Sequence, residues 1–138
     1  MLALGNNKLS PQQRLDKAVV AIMGNEKYRA LGGILMIGDR SIKFDIPTAC
    51  TNGRDEMYGH DFVDVLTDAE LRFVVLHESF HKLYRHLTTW EWMWKEDADR
   101  ANRACDYVIN LQIRDENKDG FAVMPECGLV DEKYRGMN

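Results

Sequence analysis

The sequence predicts an α+β fold: a small β-sheet packed on one central helix, with a second long helix behind it. Two stretches carry apolar residues at helical spacing over more than a dozen positions, one from about Asp68 to the mid-80s and one from about Glu96 to Arg114. Between the N-terminal region and these stretches, a short run alternates polar and apolar residues, as half-buried strands do. The 138 residues suit one compact core, so residues 1–138 read as a single domain.

The elements follow in order from local signals. Ser10 can cap a first helix, Pro11 suits its first position, and Gln13 stands where a capping box wants Glu or Gln. Leu15, Ala18, Val19, Ile22 and Met23 then share one face, and Gly24-Asn25 ends the helix. Ile34-Leu35-Met36-Ile37 and the alternating Ser41–Ile46, joined by Gly38-Asp39-Arg40, predict a β-hairpin. Residues 47–59 read as loop, with Asn52-Gly53 as a turn signal and a short extended piece at Glu56-Met57-Tyr58. Thr67 and Glu70 form a capping box that opens the central helix, with Leu71, Val74, Val75, Phe80 and Leu83 at its apolar positions. Trp90–Trp94 reads as an aromatic connector to the second long helix.

Composition narrows the function classes. Hydrophobic residues make up 45% and charged residues 29%, the balance of a soluble globular protein. A net charge of -4 argues against a nucleic-acid partner, which usually meets a basic face. No apolar run reaches the length of a membrane span, and the first ten residues lack the pattern of a signal peptide. Cys50, Cys105 and Cys127 are odd in number and widely spaced, so they read as free thiols of a cytoplasmic protein.

The chemistry concentrates on the central helix, in His77-Glu78-Ser79-Phe80-His81. Histidines four apart project from one helix face, and imidazole nitrogen is a preferred zinc ligand. Glu78 beside them is placed to act as general base toward a water that attacks a peptide carbonyl. A catalytic zinc needs a third protein ligand and an open position. His86 is near in sequence, but five residues past His81 at ~100° per residue it falls well off the ligand face of a continuous helix. Asp106 is the preferred candidate, because Asn102, Asp106 and Asn110 form a polar stripe at helical spacing, with the two asparagines as supports. His60 is alone in a loop and receives no role. A second pattern, Asp115, Asn117, Asp119, Gly120 and Glu126, fits a calcium loop in spacing. Ala122, Pro125 and the lack of a paired loop favour an ordinary polar turn there.

The stretch from Pro47 to Tyr107 resembles an HExxH, zincin-like domain of bacterial and phage proteins that is described as a putative metallopeptidase. That domain often stands ahead of a von Willebrand factor A-like domain. The resemblance is carried by Thr48–Gly53, Met57-Tyr58 with Phe62-Val63, Leu76–His81 with His86, and Asn102–Asn110. Pro125 and Leu129–Gly136 are also similar. The HExxH motif alone is moderately specific, and its combination with NxAxDxxxN is much more so. The resemblance implies a zincin-like fold and zinc peptidase activity on a peptide or protein substrate. Within residues 1–138 no second domain is expected. The expectation is therefore a zinc-dependent hydrolase with His77, His81 and Asp106 on the metal and Glu78 as base. The rival is a catalytically quiet zinc-binding regulatory or interaction module, which a fourth protein ligand would favour.

Overall fold

The N-terminal helix begins where the sequence signals it. Ser10 Oγ accepts the Gln13 amide and Gln13 Oε1 accepts the Ser10 amide, closing a capping box over α1 (Pro11–Met23). Leu15, Ala18 and Ile22 are buried on its inner face. The structure, a computed structural model, describes residues 8–84 and 91–126. His86, Cys127 and the similar tail at 129–136 lie outside the described residues.

The hairpin expected over 34–46 does not form. Ile34 and Leu35 end a single helical turn, α2 (Gly32–Leu35), which follows a 3₁₀ turn at Glu26–Leu31. Met36 and Ile37 are exposed, and only Arg40–Lys43 becomes a strand, β1. The cause is the turn before β1. Gly38 has φ 71°, and a Cβ there would stand 2.0 Å from Arg54 O, so the turn lies directly on residues 54–55. Asp39 N donates to Asp55 Oδ1 and Glu56 N donates to Asp39 O, each at 2.9 Å. These bonds start β1 alongside residues 56–59 and leave 34–37 without a strand partner.

The hairpin is found one step later, inside the stretch expected as loop. β2 (Ala49–Thr51) pairs antiparallel with β3 (Glu56–Gly59) across the Asn52-Gly53 turn. Asn52 Oδ1 accepts the Arg54 and Asp55 amides, and Gly53 takes φ 97°, which favours glycine. The short extended piece at 56–58 is thus the central strand of a three-stranded sheet in the order β1-β3-β2, with β1 parallel to β3. β2 is an edge strand. Strands of three and four residues are too short for their periodicity to stand out in sequence.

A short helix, α3 (His60–Val65), leads into α4 (Asp68–Leu83), opened by the Thr67–Glu70 capping box. α4 is the centre of the molecule. Leu71, Val75 and Leu76 are at most 1% exposed, and each such side chain stabilises the fold by roughly 1.5–3 kcal/mol. Leu83, expected on the apolar face, is exposed at the last turn. Part of the expected aromatic connector is helical, as α5 (Glu91–Glu96), and α6 (Ala98–Glu116) packs across both α4 and α5. Residues 121–126 return along the start of α4, where Val123 N donates to Ala69 O and Arg72 Nε donates to Phe121 O.

Gly59, at the junction of β3 and α3, is a point of close approach. A Cβ there would lie 2.1 Å from Ile46 O and 3.1 Å from Thr48 O, both backbone atoms. Gly59→Ala should therefore lower unfolding free energy by about 2–3 kcal/mol in urea titration, the scale of forcing atoms into a packed site.

Candidate metal centre and cleft

His77 and His81 lie one turn apart on the face of α4 that meets α6. Asp106 Oδ1 on α6 stands 2.9 Å from His77 Nε2 and 3.0 Å from His81 Nε2, and the two Nε2 atoms are 3.1 Å apart. The three residues form a group that could hold a metal ion. Ligand atoms 2.0–2.2 Å from a tetrahedral zinc stand roughly 3.3–3.5 Å apart, so the triangle would open by only a few tenths of an ångström to accept one. The donor chemistry agrees. His77 Nδ1 lies 2.7 Å from Asn110 Oδ1, which can only accept, so Nδ1 carries a proton and neutral His77 presents a lone pair at Nε2. That lone pair faces the Asp106 carboxylate, and two acceptors this close call for a cation or a shared proton between them.

Burial opposes charge on both imidazoles. At His77 the Asp106 bond, the Glu78 charge and the Asn110 bond outweigh burial and raise its pKa. At His81 burial prevails, with His77 opposing charge further, and its pKa falls. Burial would likewise raise Asp106, but its bonds to the two histidines hold it below the usual carboxylate range.

Glu78 sits one residue round the helix, on the side facing the sheet, and is 5% exposed. Burial pushes its pKa up to about 7; His77 and Lys82 pull it down, while Glu56 and Asp106 push it up. With His77, His81 and Asp106 it lines a cleft of about 430 Å³. Thr48–Thr51 of the β2 edge, Asn102 and Asn110 of α6, and an apolar set of Phe62, Phe73, Val74 and Pro125 complete the lining. Gly59 N donates to Thr48 O and Asn52 N to Asp55 O, so alternate residues of β2 turn their backbone groups to β3. Ala49 and Thr51 turn theirs to the open edge.

The structure thus brings together His77, His81, Asp106 and Glu78, with Asn110 bonded to His77 and Asn102 in the cleft. His60 stacks on Phe44 at 4.4 Å. The calcium-like loop holds a cation of the chain's own. Lys27 Nζ donates to Glu116 O at 2.8 Å, Asn117 Oδ1 at 3.1 Å and both Asp119 oxygens at 3.1 and 3.2 Å. Asn117 is buried and donates to Tyr28 Oη and Ile113 O, while Glu126 is exposed. Lys27 thus sits among the oxygens of this loop. Sequence reasoning missed the β2 edge, hidden in the stretch read as loop, and the buried Glu56 and Lys82 beneath the cleft. The only sequence signal for that pair is the four-residue spacing of Glu78 and Lys82 on one helix row.

A family model described as "Putative metallopeptidase domain" matches residues 10–133. No curated protein and no solved structure matches the chain.

Glu78 makes metal-free stability depend on pH. Its folded pKa of about 7 lies above the ordinary 4.5, so burial costs nothing below pH 4.5 and the full amount above pH 7. Glu78→Gln removes that cost. In chelator, the variant should exceed the parent in stability at pH 8 by at most roughly 3 kcal/mol. The gap should close toward pH 4.5, as read by urea titration at both pH values.

Proposed function

The chain belongs to the putative metallopeptidase domain family, and on that premise we propose that it is a zinc-dependent peptidase. The observation that carries the proposal is the convergence of His77, His81 and Asp106 on one point, with the Glu78 carboxylate beside it in an open cleft. His77 and His81 would bind zinc through Nε2 and Asp106 through a carboxylate oxygen. Bound there, zinc supplies Lewis acidity that polarises a scissile carbonyl and acidifies water. Asn110 fixes the His77 tautomer and ring orientation through Nδ1. Glu78 accepts the proton of the attacking water and returns it to the leaving amine, a task suited to a carboxylate whose pKa lies near neutrality.

A peptide fits this cleft by strand addition. The outward N–H and C=O groups of Ala49 and Thr51 can pair with an extended chain laid beside β2, which would bring its carbonyls past Glu78. The apolar lining by Phe62, Phe73 and Val74 suits side chains rather than backbone. The rival reading, a quiet zinc module, has no use for a buried carboxylate beside the ligands, since structural sites close with a fourth protein ligand. The free thiols of Cys50 and Cys105 suit a reducing cytosol, and no helix among the described residues is long and apolar enough to cross a membrane.

Glu78→Gln should retain about one zinc per chain and lose 10²–10⁴-fold in peptide hydrolysis, measured against a library-derived substrate. Parent-like turnover by that variant would remove Glu78 from the mechanism. Asp106→Ala should abolish zinc retention on dialysis, whereas Asn110→Leu should weaken zinc affinity by roughly 10–100-fold in competition with a chromogenic chelator. Unchanged affinity in Asp106→Ala would exclude it as a ligand.

A further inference from the structure

Beneath the cleft lies a buried ionic cluster that the proposed chemistry does not use. Glu56, on the central strand β3, has a fully buried side chain. Its Oε1 accepts from Arg40 Nε at 3.1 Å and from the Tyr58 hydroxyl, and its Oε2 meets the Lys82 ammonium. The Lys82 side chain is 2% exposed, and its ammonium also donates to Ile37 O at 3.0 Å. Arg40 reaches Leu35 O through Nη1, while its Nη2 is buried with no acceptor among the described residues. Two cations therefore share one carboxylate. Burying charge this way is expensive, and well-packed apolar residues would often stabilise a core equally or better. The cost calls for a use.

Position supplies one. Lys82 follows Glu78 by four residues, so both lie on one row of α4, the row turned toward the sheet. Glu56 and Tyr58 alternate along β3 and share the face that meets this row. β2, the strand that lines the cleft, is bonded to β3 directly. The cluster thus ties the Glu78 row of α4 to β3, the strand bonded to the cleft-lining β2.

We propose that Lys82 and Glu56, with Arg40, are positioning residues that hold the Glu78 carboxylate in a single orientation between the metal triad and the β2 edge. The catalytic part of this inference rests on the peptidase reading; the orientation of Glu78 does not. The test replaces the cluster with apolar residues of similar size: Arg40→Met, Glu56→Leu, Tyr58→Phe and Lys82→Met together. Should that variant not fold, Lys82→Met alone carries the comparison, because Glu56 keeps its bonds to Arg40 and Tyr58. Carboxyl-carbon NMR of the full chain, with the Glu78 resonance assigned through Glu78→Gln, reads the orientation. The parent should give one narrow Glu78 resonance. The folded variant should show it broadened, split or moved toward the solvated glutamates, with zinc content unchanged. Its kcat should fall by on the order of 10²-fold at constant KM, the scale of a one-ångström misplacement. An unaltered resonance in a folded variant overturns the inference, whatever the enzyme does. A parent that hydrolyses no peptide, with a resonance that still responds, overturns the peptidase reading and leaves the positioning role supported.

Discussion

Helix α4 is buried on most of its circumference, yet its last two turns carry two histidines, a glutamate and a lysine. A buried polar group without a partner costs several kcal/mol, so the two histidines and the lysine are met from outside the helix, while Glu78 borders the cleft. Helical geometry divides the work. Residues four apart share a row, and neighbours in sequence lie ~100° apart around the axis. His77 and His81 face α6 and are met by Asp106 and Asn110. Lys82, on the row of Glu78, faces the sheet and is met by Glu56. The second long helix and the small sheet are the two sides of one requirement, which explains why the polar stripe on α6 and the buried glutamate on β3 occur in the same molecule.

This division also explains what could be read from sequence. The three long helices α1, α4 and α6 were legible because their signals are local: capping boxes at Ser10–Gln13 and Thr67–Glu70, and long apolar periodicities. The meeting of His77, His81 and Asp106 was legible because both of its parts obey helical spacing, two histidines at four and a stripe of Asn102, Asp106 and Asn110 at four. The sheet was not. Its strands hold three or four residues each, and their pairing is set by contacts distant in sequence, such as the Gly38 turn lying on Arg54 and Asp55. The alternation at Ser41–Ile46 correctly marked a strand but said nothing of its partner. The misplaced hairpin and the missed edge strand are the same error.

Lys27 and Lys82 give opposite answers to one electrostatic problem. In the loop after α6, backbone and side-chain oxygens gather, and Lys27 supplies the cation from within the chain. Lys27 thereby ties the 3₁₀ turn to the end of α6. At the triad the groups around Asp106 are two imidazoles, which bind metals as neutral bases and add no charge of their own. Lys82, the ammonium next to His81 in sequence, is drawn away to Glu56 instead. An ammonium at the triad would close it as Lys27 closes its loop.

That withdrawal has a structural consequence for the cleft. With Lys82 paired to Glu56 on β3, its ammonium lies on the sheet side of α4. The Glu78 carboxylate thus lies between a buried ion cluster on the sheet side, whose Glu56 raises its proton affinity more than Lys82 lowers it, and a group on the α6 side that could hold a metal. A carboxylate so placed is desolvated by the core yet remains at the edge of an open cavity. Desolvation raises its proton affinity, and the cleft gives it a partner with which to exchange that proton. The same burial that makes α4 costly to fold therefore makes its one glutamate in the cleft a stronger base than a solvated carboxylate.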